Sequence, residues 1–196
     1  HSRSRRQRQM CIRDSSKDVL GYTTKFREDP IYLDPRHKDL GARLITNLEK
    51  LHLSLKLLEL KSSNLDEYYS VSNKLGIPQI NTDKLQNNLF GIECNLNELN
   101  GIDFKKGCYV GQENTARIKL KDKLSKRLFP VEVIEGDLSK DNIIHHENTE
   151  LGRVLINNKF PFAIIKFKDK NFKFEKVFKC GSASVKIKKP YWFKFD

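Results

Sequence analysis

One cysteine is distinguished by its neighbours. Residues 101–113 read GIDFKKGCYVGQE, with Cys108 lying between Gly107 and Gly111. Glycines on both sides open backbone torsions and close approaches denied to other residues, so the chain can wrap tightly around the sulfur. Gln112 and Glu113 open a predicted helix over residues 112–118, with Glu113 acidic in its first turn. A sulfur near a helix start and beside Lys105 and Lys106 is favoured as thiolate, the nucleophilic and metal-binding form. A lone cysteine is more often a small buried hydrophobe, and residue type alone leaves both readings open. The segment is not a dinucleotide fingerprint, since it lacks G-x-G-x-x-G, nor a phosphate loop, since no Gly-Lys-Ser or Gly-Lys-Thr follows.

Other residues offer less chemistry. The four cysteines, at positions 11, 94, 108 and 180, have none of the close spacing of a metal-binding pair or a disulfide scaffold, which points to a reducing compartment. His37, His52, His145 and His146 are scattered, and adjacent residues of a strand point to opposite faces. Surface histidines beside Asn142 and Glu147 are the expected reading, with no resident metal. Residues 119–127, KLKDKLSKR, carry no interleaved aromatic for base stacking and read as a solvated link.

The elements that must position Cys108 fall into two textures. Upstream, residues 22–26 form a predicted strand, and residues 41–46 a second. Asp29-Pro30 and Asp34-Pro35 punctuate the chain between them. Leu51, Leu53, Leu55 and Leu57 alternate with polar residues, the period of a half-buried strand, although Leu58 and Leu60 break it and keep a helix open. Residues 64–75 predict a helix, with Asp66 and Glu67 in its first turn and Gly76 and Pro78 ending it. Residues 89–100 read as a short helix or an ordered loop. From Leu128 onward the runs 129–134, 152–156, 162–167, 172–178 and 183–187 predict five short strands of an antiparallel barrel or sandwich. Phe160, Phe162, Phe167, Phe172, Phe174, Phe178, Tyr191, Trp192, Phe193 and Phe195 are expected to fill its core or close its ends.

Composition bounds the rest. The chain has 196 residues, 38% of them hydrophobic and 32% charged, with 37 Lys+Arg against 25 Asp+Glu and a net charge of +12. That is a foldable composition, and no window approaches the ~18 apolar residues of a spanning helix. Residues 1–16 hold five arginines and one aspartate, so they carry +4 of this charge without any helical or strand period. They read as a non-native or disordered basic leader. A basic interaction arm and a targeting presequence are the alternatives.

The string KGCYVGQE, residues 106–113, resembles the signature of the folate-binding YgfZ family, iron–sulfur cluster assembly or repair factors related to the glycine-cleavage T-protein. The likeness extends to Glu93, Asn95, Leu96, Glu98, Leu99, Asn100 and Gly101 before the motif. After it come Thr115-Ala116-Arg117, Lys126-Arg127-Leu128 and Pro130-Val131. Asp34-Pro35-Arg36, Leu40-Gly41-x-Arg43, Leu75-Gly76-Ile77-Pro78 and Gly152-Arg153-Val154 add further shared elements over about residues 18–165.

The resemblance implies an α+β fold: the C-terminal part of a T-protein-like folate-binding fold, followed by a small antiparallel β-barrel. It implies a partial folate-binding domain over residues 17–122 and the barrel over residues 123–196, in an N-terminally truncated member. By the same resemblance Cys108 is the functional thiol. Lys106, Gly107, Tyr109, Gly111, Gln112 and Glu113 surround it, and Arg117 projects from the following helix. Tyr32, Arg36 and Glu93 are candidates for a folate cleft, the cofactor being tetrahydrofolate or a derivative. The metal expectation is a transient cluster contact at Cys108. Partners would be iron–sulfur client enzymes or cluster carrier proteins, with no direct nucleic acid and no membrane. The location would be the bacterial cytoplasm or, in a eukaryote, the mitochondrial matrix. Two other functions compete: an aminomethyltransferase of the T-protein type and a basic nucleic-acid-binding module.

Overall fold

The computed structural model describes residues 20–104, 115, 124–138 and 142–194. It forms two compact units that divide between Leu65 and Asp66.

The first unit holds a three-stranded antiparallel sheet of β1 (Thr23–Phe26), β2 (Asp29–Leu33) and β3 (Ala42–Leu44), in that order. Pro30, expected as punctuation, instead pairs with Lys25 inside β2, where its carbonyl accepts the Ile45 amide at 3.0 Å. It sits next to the first residue of its strand, where a missing N–H is tolerated.

Asp34, 1% exposed, ends this sheet as a buried ionic node. Its carboxylate accepts from the Arg36 backbone at 3.0 Å, from Arg36 Nε and Nη2 at 3.0 and 2.9 Å, and from Arg43 Nε at 2.6 Å. The Asp34 amide donates to the Gly41 carbonyl at 3.0 Å, so both halves of the Asp-Pro-Arg and Leu-Gly-x-Arg elements close on one carboxylate. Burial alone would push this carboxyl up; the hydrogen bonds from Arg36 and Arg43 outweigh it and hold the pKa at about 2. Because the folded value lies below the unfolded one, the stabilisation is complete above the unfolded pKa, near ~3.9, and is lost as pH falls through the folded one. The gap is worth about 2 kcal/mol. Hydrogen exchange at the Ile31 and Leu33 amides should therefore be faster in Asp34→Asn than in the parent above about pH 5. The two should converge toward about pH 2. A difference that persists unchanged to that pH would reject the ionic account.

The alternating leucines of residues 51–57 form a helix, not a strand: α1 runs Leu48–Leu57. Leucine is a strong helix former without β-branching, and local signals decide the matter. Asn47 caps the start by accepting the Lys50 amide at 2.9 Å, Glu49 lies in the first turn and Lys56 in the last.

The helix α2 (Leu65–Lys74) matches its predicted span and leads into the second unit. It ends in a Schellman motif: the Gly76 amide donates to the Asn73 carbonyl and the Ile77 amide to the Ser72 carbonyl, both at 2.8 Å. Gly76 adopts φ +72°, and a Cβ there would lie 2.7 Å from Pro190 Cγ. The Leu75 carbonyl, just past the helix, accepts Trp192 Nε1–H at 2.8 Å. Two requirements thus converge on one glycine in the Leu-Gly-Ile-Pro element.

The barrel closes in the order β4-β7-β6-β5-β8-β9. Its strands are β4 (Arg127–Glu135), β5 (Ile143–His146), β6 (Thr149–Ile156), β7 (Phe162–Ile165), β8 (Val177–Cys180) and β9 (Ala183–Ile187), all antiparallel. The α+β class with an antiparallel barrel is what the sequence predicts. Six strands replace the expected five, because β5 carries no alternation. The predicted strand over residues 172–178 shrinks to β8, since Asp169 accepts the Phe172 amide through its carbonyl and the Asn171 amide through its side chain, making a turn.

Phe129, Phe167, Phe172, Phe178 and Phe193 are buried in the core. Phe129 meets Phe174 and Phe193 edge-on, with centroids 5.1 and 5.0 Å apart. Tyr191 is 64% exposed and lies outside the core, and Phe160 packs against Tyr69 of α2 instead. Phe195 lies outside the described residues. Among the described residues no helix is long and apolar enough to cross a membrane.

Candidate functional site

Lys106, Gly107, Cys108, Tyr109, Gly111, Gln112, Glu113 and Arg117 lie outside the described residues. What the structure does give is how the chain on either side of them is held.

Residues 90–101 form a coil of successive turns rather than a helix. Glu93 Oε2 accepts the Phe90 amide at 2.9 Å, and the Leu96 amide donates to the Gly91 carbonyl. Asn95 and Asn100 occupy the left-handed region, at φ 62° and 57°, where asparagine is among the few tolerated side chains. This coil docks on the start of β4. The Leu128 amide donates to the Glu93 carbonyl at 2.9 Å, and Asn95 Nδ2 donates back to the Leu128 carbonyl at 2.8 Å. A backbone group and a buried side-chain amide thereby imitate one rung of a strand pair.

Arg127 completes the joint. Its Nη1 donates to Asn95 Oδ1 at 2.9 Å, and its Nη2 lies 2.6 Å from Glu98 Oε1. The guanidinium also sits over the rings of Phe167 and Phe193, 5.8 and 5.4 Å from their centroids. Arg127, read from sequence as the end of a solvated link, is thus a half-buried clamp. Beside it Leu124 is buried in the barrel core, and Ile102 and Phe104 pack against the same cluster. The described residues flanking positions 105–123 therefore converge on one hydrophobic cluster. Sequence reasoning quotes Asn95, Glu98 and Arg127 as shared residues but gives them no role, because no spacing rule connects residues 32 positions apart.

The described cysteines are poorly placed for chemistry. Burial, reinforced by the Glu93 charge, pushes the Cys94 thiol up to about 11, so it is protonated at neutral pH. Cys180 is fully buried in the barrel. Among the described residues no group of three or more His, Cys, Asp or Glu can hold a metal ion. His146 lies against the Phe178 ring and beside Lys176 Nζ.

The folate candidates have structural employment. Arg36 is spent on Asp34, and Tyr32 pairs with Thr23 and Arg43 across the sheet of the first unit. Glu93 ties its own turn and borders a hollow of about 90 Å³, well below the ~300 Å³ at which organic-ligand pockets begin.

No family model matches the chain. It is similar to the iron-sulfur cluster assembly factor IBA57 homolog, mitochondrial, of Dictyostelium discoideum, with 34% identity over 115 residues, 58% of this chain and 28% of the relative. The Mus musculus iron-sulfur cluster assembly factor IBA57, mitochondrial, is 36% identical over 110 residues, 56% of this chain and 30% of that protein. The Aspergillus oryzae homolog of the same name is 40% identical over 109 residues, 54% of this chain and 24% of its own length. The chain spans less than a third of the length of these curated relatives. The chain is thus homologous to this mitochondrial iron-sulfur cluster assembly factor.

Proposed function

We propose that this chain acts, as a YgfZ-like protein, in the assembly, transfer or repair of iron–sulfur clusters in client enzymes, with tetrahydrofolate or a derivative as cofactor. The observation that carries the reading is identity of 34 to 40% with proteins named as iron–sulfur cluster assembly factors. A T-protein-like fold belongs to the same reading, supported by an α+β chain ending in a closed barrel.

Cys108 is the proposed working thiol. A thiolate is a soft ligand suited to iron, and the cluster is cargo: Cys108 lends it one sulfur ligand and is displaced when a client thiolate takes its place. This ligand exchange needs no change in oxidation state and no bond to the folate. Lys106 favours the thiolate by charge; Gly107, Tyr109, Gly111, Gln112, Glu113 and Arg117 shape its surroundings. Partners are client enzymes or cluster carriers, and an influence on tRNA modification would follow indirectly through clients. In a eukaryote the proposed compartment is the mitochondrial matrix; in a bacterium it is the cytoplasm.

The test is rescue of a cluster-dependent enzyme in cells lacking their own relative, with client activity normalised to client protein. Loss of a direct ligand should cost at least the ~10–100-fold that second-shell changes cost in metal sites, so Cys108→Ser should restore about a tenth of parental activity or less. Equal rescue by both forms would remove Cys108 from the chemistry. Failure of both, each soluble and expressed, would reject the assembly role.

A further inference from the structure

A second feature lies in the barrel unit. A cleft of about 810 Å³ opens between the C-terminal end of α2, the outer half of β4 and residues 157–161, within the size range of small-molecule sites. We propose that it binds a small organic anion: a molecule with an apolar body and at least two anionic groups, carboxylate or phosphate.

The rim of the cleft is cationic. Among the described residues, Lys74, Lys159, Lys188 and Lys189 line the cleft against two carboxylates, Glu132 and Asp137. Lys188 is held by Glu132 at 2.8 Å and Glu175 at 3.4 Å, and Lys159 by Asp66 at 2.5 Å. Lys74 and Lys189 have no carboxylate partner among the described residues; Lys189 instead lies 5.8 Å from the centroid of the Phe174 ring. Two ammonium groups without a described carboxylate partner on one concave surface raise the local concentration of anions.

The floor of the cleft is apolar. β4 is buried from Leu128 to Val131, then exposed at every residue from Glu132 to Glu135. Its pairing with β9 shifts register between Val133 and Glu135, the mark of a bulge, and bulges gather at barrel rims and beside binding sites. Val133 is left 38% exposed within the cleft, an apolar surface under a cationic rim.

The walls are rigid. The Pro161 carbonyl accepts both the Val131 amide at 2.9 Å and Asn73 Nδ2 at 3.5 Å, tying β4, the loop and α2 together. Asn158 Oδ1 accepts the Phe160 amide at 2.7 Å and so fixes the backbone around Lys159. The Lys188 amide donates to the Pro130 carbonyl at 3.0 Å. Walls set before binding lower its entropic cost.

The probe is naphthalene-1,5-disulfonate, titrated into the isotope-labelled full chain and followed by amide chemical shifts. Saturable shifts centred on Lys74, Val133, Lys159 and Lys189 are expected. The Lys74→Glu/Lys189→Glu double variant should weaken binding at least about tenfold at an unchanged thermal midpoint. Should that variant fail to fold, Val133→Asp, which puts a carboxylate on the floor, must produce the same loss. Displacement by inorganic pyrophosphate assigns a phosphate ligand, and displacement by citrate a carboxylate. Displacement by neither overturns the anion site. So does an equal loss in Lys170→Glu/Lys173→Glu, whose exposed lysines lie outside the cleft, or non-saturable shifts spread over the lysine surface.

Discussion

Gly152→Ala should destabilise the barrel by about 3 kcal/mol or more, a large fraction of the stability of an ordinary domain. Gly152 lies in β6 between two partners, opposite Ile144 of β5 and Ile165 of β7. A Cβ at this position would overlap the carbonyl oxygen of Ile164 and lie 3.0 Å from both the Ile164 carbonyl carbon and Ile165 Cα. All of these are backbone atoms, so no rotamer change relieves the clash and a whole strand must move. The strand is not free to do so, because the Lys166 amide is bonded to the Leu151 carbonyl at 2.8 Å beside it. Trp192, the only tryptophan, reports on this unit, and its fluorescence in urea provides the measurement. A midpoint within ~0.3 M of the parent would show that β6 and β7 can separate at little cost, contrary to the close approach described.

Arg127→Leu should cost about 1–3 kcal/mol, the range for leaving a buried hydrogen-bonding group without its partner. The loss has identifiable parts. Asn95 is fully buried, so its Oδ1 would lose its donor without gaining water. Glu98 would keep its charge beside an apolar surface, and Phe167 and Phe193 would lose the cation above them. Arg127→Lys should recover less than half, since one ammonium cannot reproduce a planar fork that serves Asn95 and Glu98 from separate nitrogens. The double variant Arg127→Leu/Glu98→Gln should be less damaged than the sum of the singles, because the stranded charge is removed with its partner. Strict additivity in urea denaturation would show that Arg127 and Glu98 act independently.

What could be read from the sequence divides along physical lines. The helix ending at Lys74 was legible because its acidic first turn, Gly76 and Pro78 are all local. The barrel was legible as a run of short strands, and its aromatic core as a surplus of phenylalanine. Two hairpins were opaque because the positive-φ positions of their turns are not filled by glycine or asparagine. The β1–β2 turn uses Arg27 and Glu28 at φ 52° and 68°, and the β5–β6 turn begins with Glu147 at φ 52°. In the leucine run of residues 51–57, period and propensity disagreed, and the Asn47 cap resolved the conflict in favour of helix. At the site, the thiol motif was conspicuous, whereas its anchorage was not. Glu93, Asn95 and Glu98 acquire a purpose only when β4 brings Arg127 and Leu128 against them.

Three contacts made by residues 190–193 bear on how the chain is manufactured. Pro190 lies against Gly76, Trp192 reaches the Leu75 carbonyl just past α2, and Phe193 lies beneath the Arg127 guanidinium. The β4–β9 pairing that closes the barrel also waits for residues 183–187. A ribosome delivers the cysteine motif some eighty residues before these closing pieces. Throughout that interval the helix cap and the arginine clamp are incomplete, and vectorial folding cannot finish this unit. A transcript that stops shortly before codon 190 would thus encode every residue of the motif yet lack Pro190, Trp192 and Phe193, the last pieces that pack on Gly76 and beneath the Arg127 guanidinium.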